Sequence, residues 1–184
     1  LPDMEVSPCV TPTALGDLLI NEALVNPEGN ELVDDSEWIE IINRGDDPIS
    51  LEGISLWNEG ALVLSFAPLC LMPHSALTLY NLRGPEAWAW STPPLGEISA
   101  QVASRFSLTN SRPIALELKR GDESISVLSA PSAVIESGVS ANRDPDATPD
   151  GAVVKHSELA DAVGSSSPGL CANGARYEDL CLAP

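Results

Sequence analysis

Apolar and polar residues alternate along several short runs of the chain, which is the pattern of half-buried β-strands. The clearest runs are residues 37–43 and 114–119. In the first run Trp38, Glu40 and Ile42 fall on one face, because successive side chains of a strand point to opposite faces. The second run is followed by an Arg-Gly-Asp-Glu turn and a returning apolar run, which predicts a β-hairpin.

Repetition of such runs predicts the fold class. The chain holds about eight or nine short strands, separated by turn-forming residues. Many short strands joined by Gly- and Pro-containing turns indicate a sandwich or a barrel, and clean alternation indicates sheets with one face in the core and one in solvent. We therefore predict an all-β sandwich. Its strands are expected at residues 17–24, 37–43, 49–51, 54–57, 61–66, 76–80, 105–108, 114–119 and 125–128.

Proline and glycine also divide the chain into segments. Residues 1–14 have little periodicity and are predicted to form an N-terminal arm. Residues 15–170 contain the predicted strands and form the sandwich domain, and residues 171–184 form a C-terminal tail. A long stretch with several prolines and glycines, residues 81–104, is expected to be an irregular connection.

Several segments resemble the lamin-tail domain in its bacterial, secreted form. The similar segments are residues 18–30, residues 37–58 and the Ser-Pro-Gly step at residues 167–169, and the resemblance spans about residues 15–169. It implies an immunoglobulin-like β-sandwich. It also implies a non-catalytic module of a secreted or surface protein, with a binding or structural role.

The charge of the chain restricts its partners. Acidic residues outnumber basic ones by 27 to 9, the net charge is −18 and the sequence pI is about 4.1. Phosphate backbones and anionic lipids repel such a surface, which excludes nucleic acid as an expected partner. Many acids of residues 1–60 occupy predicted turns and strand edges, which favours surface protection; binding of a cation or a cationic partner is the alternative.

The cysteines indicate the compartment. Cys9, Cys70, Cys171 and Cys181 contain no C-x-x-C pair and fit no ordinary zinc spacing. An even number of cysteines in loop-like segments favours two disulfides and a secreted, periplasmic or cell-surface location; four buried thiols are the alternative. Loop-closure entropy favours Cys171 with Cys181, which leaves Cys9 with Cys70.

One acidic loop has the composition of a calcium site. Asp144, Asp146 and Asp150 lie two and six residues apart in a Pro-containing loop, and Ca²⁺ prefers several oxygen ligands. The spacing is not that of an EF-hand. Calcium is therefore the one cofactor we consider, and an exposed acidic turn is the alternative interpretation.

Two tryptophans form a second candidate site. Trp88 and Trp90 stand two residues apart in the Pro- and Gly-rich connection, where they are placed to stack on a sugar or to anchor a protein partner. Packing of both rings over an open end of the sandwich is the alternative.

Catalytic motifs are absent from the sequence. It contains neither H-E-x-x-H nor G-x-S-x-G, and no glycine-rich phosphate loop. No apolar stretch reaches the twenty or so residues of a spanning helix, so no membrane insertion is expected. We predict no enzyme but a non-catalytic binding or structural module whose partner is a protein or a glycan. The alternative is a carbohydrate-binding or Ca²⁺-dependent adhesion module.

Overall fold

The computed structural model describes residues 9, 17–29, 37–81, 106–178 and 181. Within them the chain forms eleven strands and two short 3₁₀ turns, the turns at Ser132–Val134 and His156–Glu158. The strands are β1 Leu18–Leu24, β2 Trp38–Asn43, β3 Ile49–Ser50, β4 Ile54–Asn58, β5 Ala61–Ser65, β6 Cys70–Leu71, β7 Ser75–Tyr80, β8 Ile114–Arg120, β9 Glu123–Ala130, β10 Ala141–Asp144 and β11 Ala152–Lys155.

The strands form three antiparallel sheets, and the predicted all-β sandwich is confirmed. One sheet has the order β11-β10-β1-β2-β7 and another the order β5-β4-β8-β9, while β3 and β6 make a small third sheet. The predicted hairpin joins β8 to β9. Its turn contains Gly121 at a φ of 61°, a left-handed conformation that glycine adopts without strain.

The inner faces of the sheets enclose one large apolar core. Alternate residues of β1 and β2 point into it, among them Ile20, Ala23, Ile39 and Ile41. The pairing of β1 with β2 shifts by one residue between Ile20 and Glu22. This bulge keeps Ile20 and Ala23 on the inner face although two residues separate them, because the extra residue resets the alternation.

The outer face of the five-stranded sheet is also covered. Every residue of β1 and β2 is buried, which differs from the expected pattern of one solvated face. A second apolar cluster lies on this outer face, where Ala147, Cys171 and Tyr177 pack over residues of the strands. The strand residues of this cluster are Leu19, Ile42 and Ala76. Residues 171–178, which the sequence places in a tail, therefore lie against the sandwich.

One predicted strand differs in the structure. Residues 106–109 are not in a strand, although Phe106 and Leu108 are buried in the core. The amide of Leu108 donates to the Glu37 side chain (N–Oε1 3.1 Å) in place of a neighbouring strand. A side chain therefore accepts the hydrogen bond of this backbone amide, so the segment is buried without pairing as a strand, which the alternation of residues does not predict.

Two disulfides tie loops to the sheets. They join Cys9 to Cys70, on β6, and Cys171 to Cys181, which are the pairs that loop closure favours. Across the described residues, no helix has the length and apolar character needed to cross a membrane.

Candidate functional site

A cavity of about 230 Å³ opens beside the loop that follows β10. The residues that line it include Asp144, Asp146, Asp161, Asn173 and Cys181. The structure thus places two of the three predicted calcium ligands at one cavity. Their third partner, Asp150, is not among the residues that line it.

The Asp146 carboxylate is engaged by hydrogen-bond donors. Its Oδ1 accepts from the side-chain amides of Asn21 (2.9 Å) and Asn142 (3.2 Å) and from the Ala147 amide (3.0 Å). Its Oδ2 accepts from the amide of Ala172 (2.7 Å). These bonds use most of the carboxylate's acceptor capacity, so Asp146 has a structural role in fixing the loop.

The potential metal ligands converge differently from the predicted set. In the part of the chain that the structure describes, the group whose ligand atoms all lie within 4.8 Å of one another is Asp146 with Cys171 and Cys181. Both sulfurs of that group belong to a disulfide and are not thiolate ligands. The calcium site of Asp144, Asp146 and Asp150 stays a prediction.

Two glutamates are completely buried on the outer face of the five-stranded sheet. Glu22 on β1 and Glu40 on β2 are directly opposite each other in the strand register, and both are 0% exposed. A buried carboxylate is costly unless donors surround it, so the partners of these two groups define what the site does.

Glu22 accepts hydrogen bonds from two serines. The Ser140 hydroxyl donates to its Oε1, and Ser167 donates through both its amide (3.0 Å) and its hydroxyl (2.8 Å). The Nδ1 atom of His156 lies 3.2 Å from the same carboxylate, and this imidazole is also 0% exposed. Glu22 therefore accepts hydrogen bonds from Ser140, just before β10, and from Ser167, and the His156 imidazole lies within ion-pair distance of it.

Glu40 is surrounded in the same way. Its Oε1 accepts from the Tyr177 hydroxyl (2.5 Å) and from the side-chain amide of Asn21 (3.2 Å). Its Oε2 accepts from the amide of Gly169 (2.6 Å). The side chain of Asn21 also donates to the Tyr177 oxygen (3.0 Å), so these groups form one connected network.

Three buried or half-buried carboxylates together hold one irregular segment, residues 163–178, which we call the strap. Each carboxylate accepts a hydrogen bond from a backbone amide of the strap. The pairs are Ser167 with Glu22 (3.0 Å), Gly169 with Glu40 (2.6 Å) and Ala172 with Asp146 (2.7 Å). A further bond joins the Ser140 amide to the carbonyl of Ser165 (3.1 Å). The strap has no strand pairing of its own, so these side chains supply partners that a sheet would otherwise provide.

The network changes the acidity of its members. Burial, with the nearby charge of Glu22, raises the pKa of Glu40 well above its usual value. Burial, with the charges of Glu40 and Asp146, raises the pKa of Tyr177. Burial works against protonation of His156, but the hydrogen bond and charge of Glu22 outweigh it, so the pKa of this imidazole is also raised.

Arg143 on β10 is a buried basic residue outside this network, and it connects three parts of the fold. It is 3% exposed, and its guanidinium donates to the carbonyls of Ile20 (2.8 Å), Val127 (2.5 Å), Pro149 (2.7 Å) and Gly151 (3.4 Å). Burial lowers the pKa of Arg143, and the charge of Asp150 opposes this shift. The residue links β1, β9 and the acidic loop through backbone carbonyls.

The remaining surface candidates lie elsewhere. Trp88 and Trp90 lie outside the described residues. On the outer face of the four-stranded sheet, Trp57 is half-buried, its Nε1 donates to the Ser55 hydroxyl (2.8 Å), and the Lys119 ammonium lies 5.3 Å from its ring centre. The tryptophan site of Trp88 and Trp90 therefore stays a prediction, and Trp57 is a half-buried aromatic side chain at a different surface.

Sequence reasoning missed the buried network. It assigned the acids of residues 1–60 to surfaces and edges, whereas Glu22, Glu37 and Glu40 are at most 2% exposed. A signal was available, because Glu22 and Glu40 lie in the middle of largely apolar strands, where a solvated acid is unexpected.

Comparison of the chain with protein-family models, with curated proteins and with solved structures finds no match.

Proposed function

We propose that this chain is a non-catalytic binding or structural module of a secreted or cell-surface bacterial protein, with an immunoglobulin-like sandwich similar to the lamin-tail domain. One observation carries the non-catalytic part of this proposal. The side chains with the greatest capacity for acid–base chemistry, Glu22, Glu40 and His156, have no solvent-exposed surface. A substrate has no access to them while the strap is in place, and their partners give them a structural role.

The two disulfides support the compartment. Disulfides persist in oxidising surroundings and are rare in reducing ones. One bond joins Cys9 to Cys70 on β6, and the other joins Cys171, which packs on the outer face of the sheet, to Cys181. Both therefore secure ends of the domain, as expected for a module exposed to an extracellular environment.

Loss of Glu40 tests the structural role. Purified wild-type protein and Glu40→Gln are compared for hydrolysis of ester, glycoside and phosphate substrates and for resistance to urea. We expect no turnover by either protein and an altered urea midpoint in the variant. Turnover by the wild type that disappears in Glu40→Gln at a pH where both are folded would refute the proposal.

A carbohydrate-binding module is the second candidate, because Trp57 presents an aromatic ring beside hydrogen-bonding side chains. Lys119 and Glu117 form an ion pair (3.0 Å) next to the ring, and Leu62 is 54% exposed beside it in the register of β4 and β5. An aromatic face with polar neighbours suits the apolar side of a sugar ring and its hydroxyl groups.

A glycan array, probed with and without Ca²⁺, separates the two candidates. Binding that Trp57→Ala removes and Met72→Ala retains would favour the carbohydrate module, because Met72 is 49% exposed but lies outside this sheet. Signal that appears only with Ca²⁺ would favour the adhesion variant of this candidate. No binding under either condition leaves the structural or protein-binding module as the function.

A further inference from the structure

The sandwich and the strap rest on apolar clusters of very different size. Among the described residues, the sandwich core contains 24 buried residues, whereas the cluster between the strap and the sheet contains six. Free energy from apolar burial scales with the area removed from water, so the strap gains far less of it than the sheets do. Local opening occurs first in such weakly packed segments, before the whole domain unfolds.

Ionisable groups from five elements packed at this position face the network. Glu22 comes from β1, Glu40 from β2 and Asp146 from the loop after β10, while His156 comes from the 3₁₀ turn and Tyr177 from the strap. The neighbouring strand β7 places uncharged Thr78 opposite Glu40. Three carboxylates thus share a site that contains one titratable imidazole and no other basic side chain among these facing groups.

We propose that protonation of the network beneath the strap keeps the strap on the sheet. When the network loses protons as the pH rises, residues 163–178 leave the outer face of the five-stranded sheet while the sandwich stays folded. Loss of the proton from Glu40 places a second carboxylate charge directly opposite Glu22 at a site where both side chains are 0% exposed. Loss of the proton from His156 removes the positive charge beside Glu22. Both changes act against the same strap contacts.

The direction of the effect follows from linkage. Glu40, His156 and Tyr177 each have a raised pKa in the folded protein, so each binds its proton more tightly there than in the open state. The stability that such a group contributes is complete below its ordinary pKa and is lost as the pH rises through its raised pKa. For Glu40 the loss begins above the ordinary value of 4.5, and for His156 it begins above 6.5. The strap is therefore expected to loosen progressively through neutral into alkaline pH.

Release would change the surface of the module without unfolding it. It would expose the apolar side chains of Leu19, Ile42 and Ala76 together with the carboxylates of Glu22 and Glu40. The Cys171–Cys181 disulfide keeps the end of the strap in a closed loop, so its conformational freedom stays restricted and it can return when the pH falls.

Amide hydrogen exchange measured by NMR tests the proposal on the full, disulfide-intact chain. The amides of Ser167, Gly169 and Ala172 report the strap, because they donate directly to the three carboxylates. The amides of Leu116 and Leu118 on β8 report the sandwich. Protection factors, corrected for intrinsic base catalysis, are measured from about pH 5 to about pH 9.

We expect protection of the strap amides to fall at least about tenfold over this range while that of the β8 amides changes little. In Glu40→Gln the position stays neutral, so the fall is expected to shrink; the control Glu52→Gln, at an exposed turn, should behave like the wild type. The proposal would be overturned by a parallel fall in both sets of amides, or by strap protection that does not change with pH in the wild type. The wild-type comparison decides this even where Glu40→Gln does not fold. An unchanged fall in a folded Glu40→Gln would also overturn it.

Discussion

Replacement of Arg143 by methionine tests whether one buried guanidinium holds three parts of the fold together. Methionine has a similar length and fills apolar space, but it donates no hydrogen bonds. The change leaves the carbonyls of Ile20 and Val127 without the donor that now joins β1 to β9, and it frees the carbonyls of Pro149 and Gly151 in the acidic loop.

The size of the effect follows from these contacts. A hydrogen bond that involves a charged group contributes about 1.5–3 kcal/mol, and a buried polar group without a partner costs about 1–3 kcal/mol. The gain from removing a buried charge offsets part of this loss, because desolvation of Arg143 already disfavours the charged form. We expect Arg143→Met to lower the free energy of unfolding by about 3–5 kcal/mol, which corresponds to a Tm decrease of about 6–20 °C for a chain of this size.

Urea denaturation followed by circular dichroism measures this difference. Arg143→Lys keeps the charge but loses the planar fork of donors, so it should recover only a small part of the loss. Arg112→Met, at an exposed ion pair with Glu59, is the matched control and should change stability by less than about 0.5 kcal/mol. A stability of Arg143→Met within about 1 kcal/mol of the wild type would refute this linking role of Arg143. Full recovery in Arg143→Lys would show that the charge alone, and not the planar fork of donors, stabilises the fold.

Three further predictions concern the loops. Replacement of Cys171 and Cys181 by serine should lower the free energy of unfolding by about 2–3 kcal/mol, measured in urea, because a short loop is no longer closed in the unfolded chain; an unchanged midpoint would contradict this. Asn43→Ala should cost about 2–3 kcal/mol in urea, because Asn43 Nδ2 donates to the carbonyls of residues 47, 71 and 72 and its Oδ1 accepts from the Gly45 amide. Asn43→Asp keeps the Oδ1 acceptor but sets a carboxylate oxygen against the three carbonyls, so it should cost at least as much, and a smaller loss than in Asn43→Ala would contradict the donor role. If the acidic loop after β10 binds calcium as predicted, millimolar Ca²⁺ should release heat in calorimetry and raise the Tm, and the absence of both effects would refute that site.

The strands could be predicted from the sequence because their inner faces obey a local rule. In residues 114–119 the apolar side chains recur at every second position, and the structure places Ile114, Leu116 and Leu118 in the core. Strand β1 departs from strict alternation, since Asn21 and Glu22 are consecutive polar residues. The bulge at this point accounts for the departure, and two adjacent polar residues in an apolar run were its visible signal.

The site could not be predicted, because its burial depends on contacts distant in sequence. Glu40 and Tyr177 are 137 residues apart, and Glu22 and Ser167 are 145 apart. Each acid interrupts a largely apolar run, which marks it as unusual, but neither has a local feature that identifies its partner. Burial of these acids follows only when the outer face of the sheet is known to be covered. The strap that covers it is an irregular segment without periodicity.

Carboxylates under the strap meet a need that an apolar interface cannot meet. An irregular segment that packs on a sheet buries backbone amides, and each of these needs an acceptor because no strand ladder provides one. Leu19 and Ile42 give the strap apolar contact, but apolar contact is non-directional and tolerates sliding along the sheet. Acceptors at fixed places on β1, β2 and the β10 loop are directional, so they admit one register of the strap. The same choice makes the register depend on protonation, since Glu40 is buried opposite Glu22 and burial raises the pKa of Glu40.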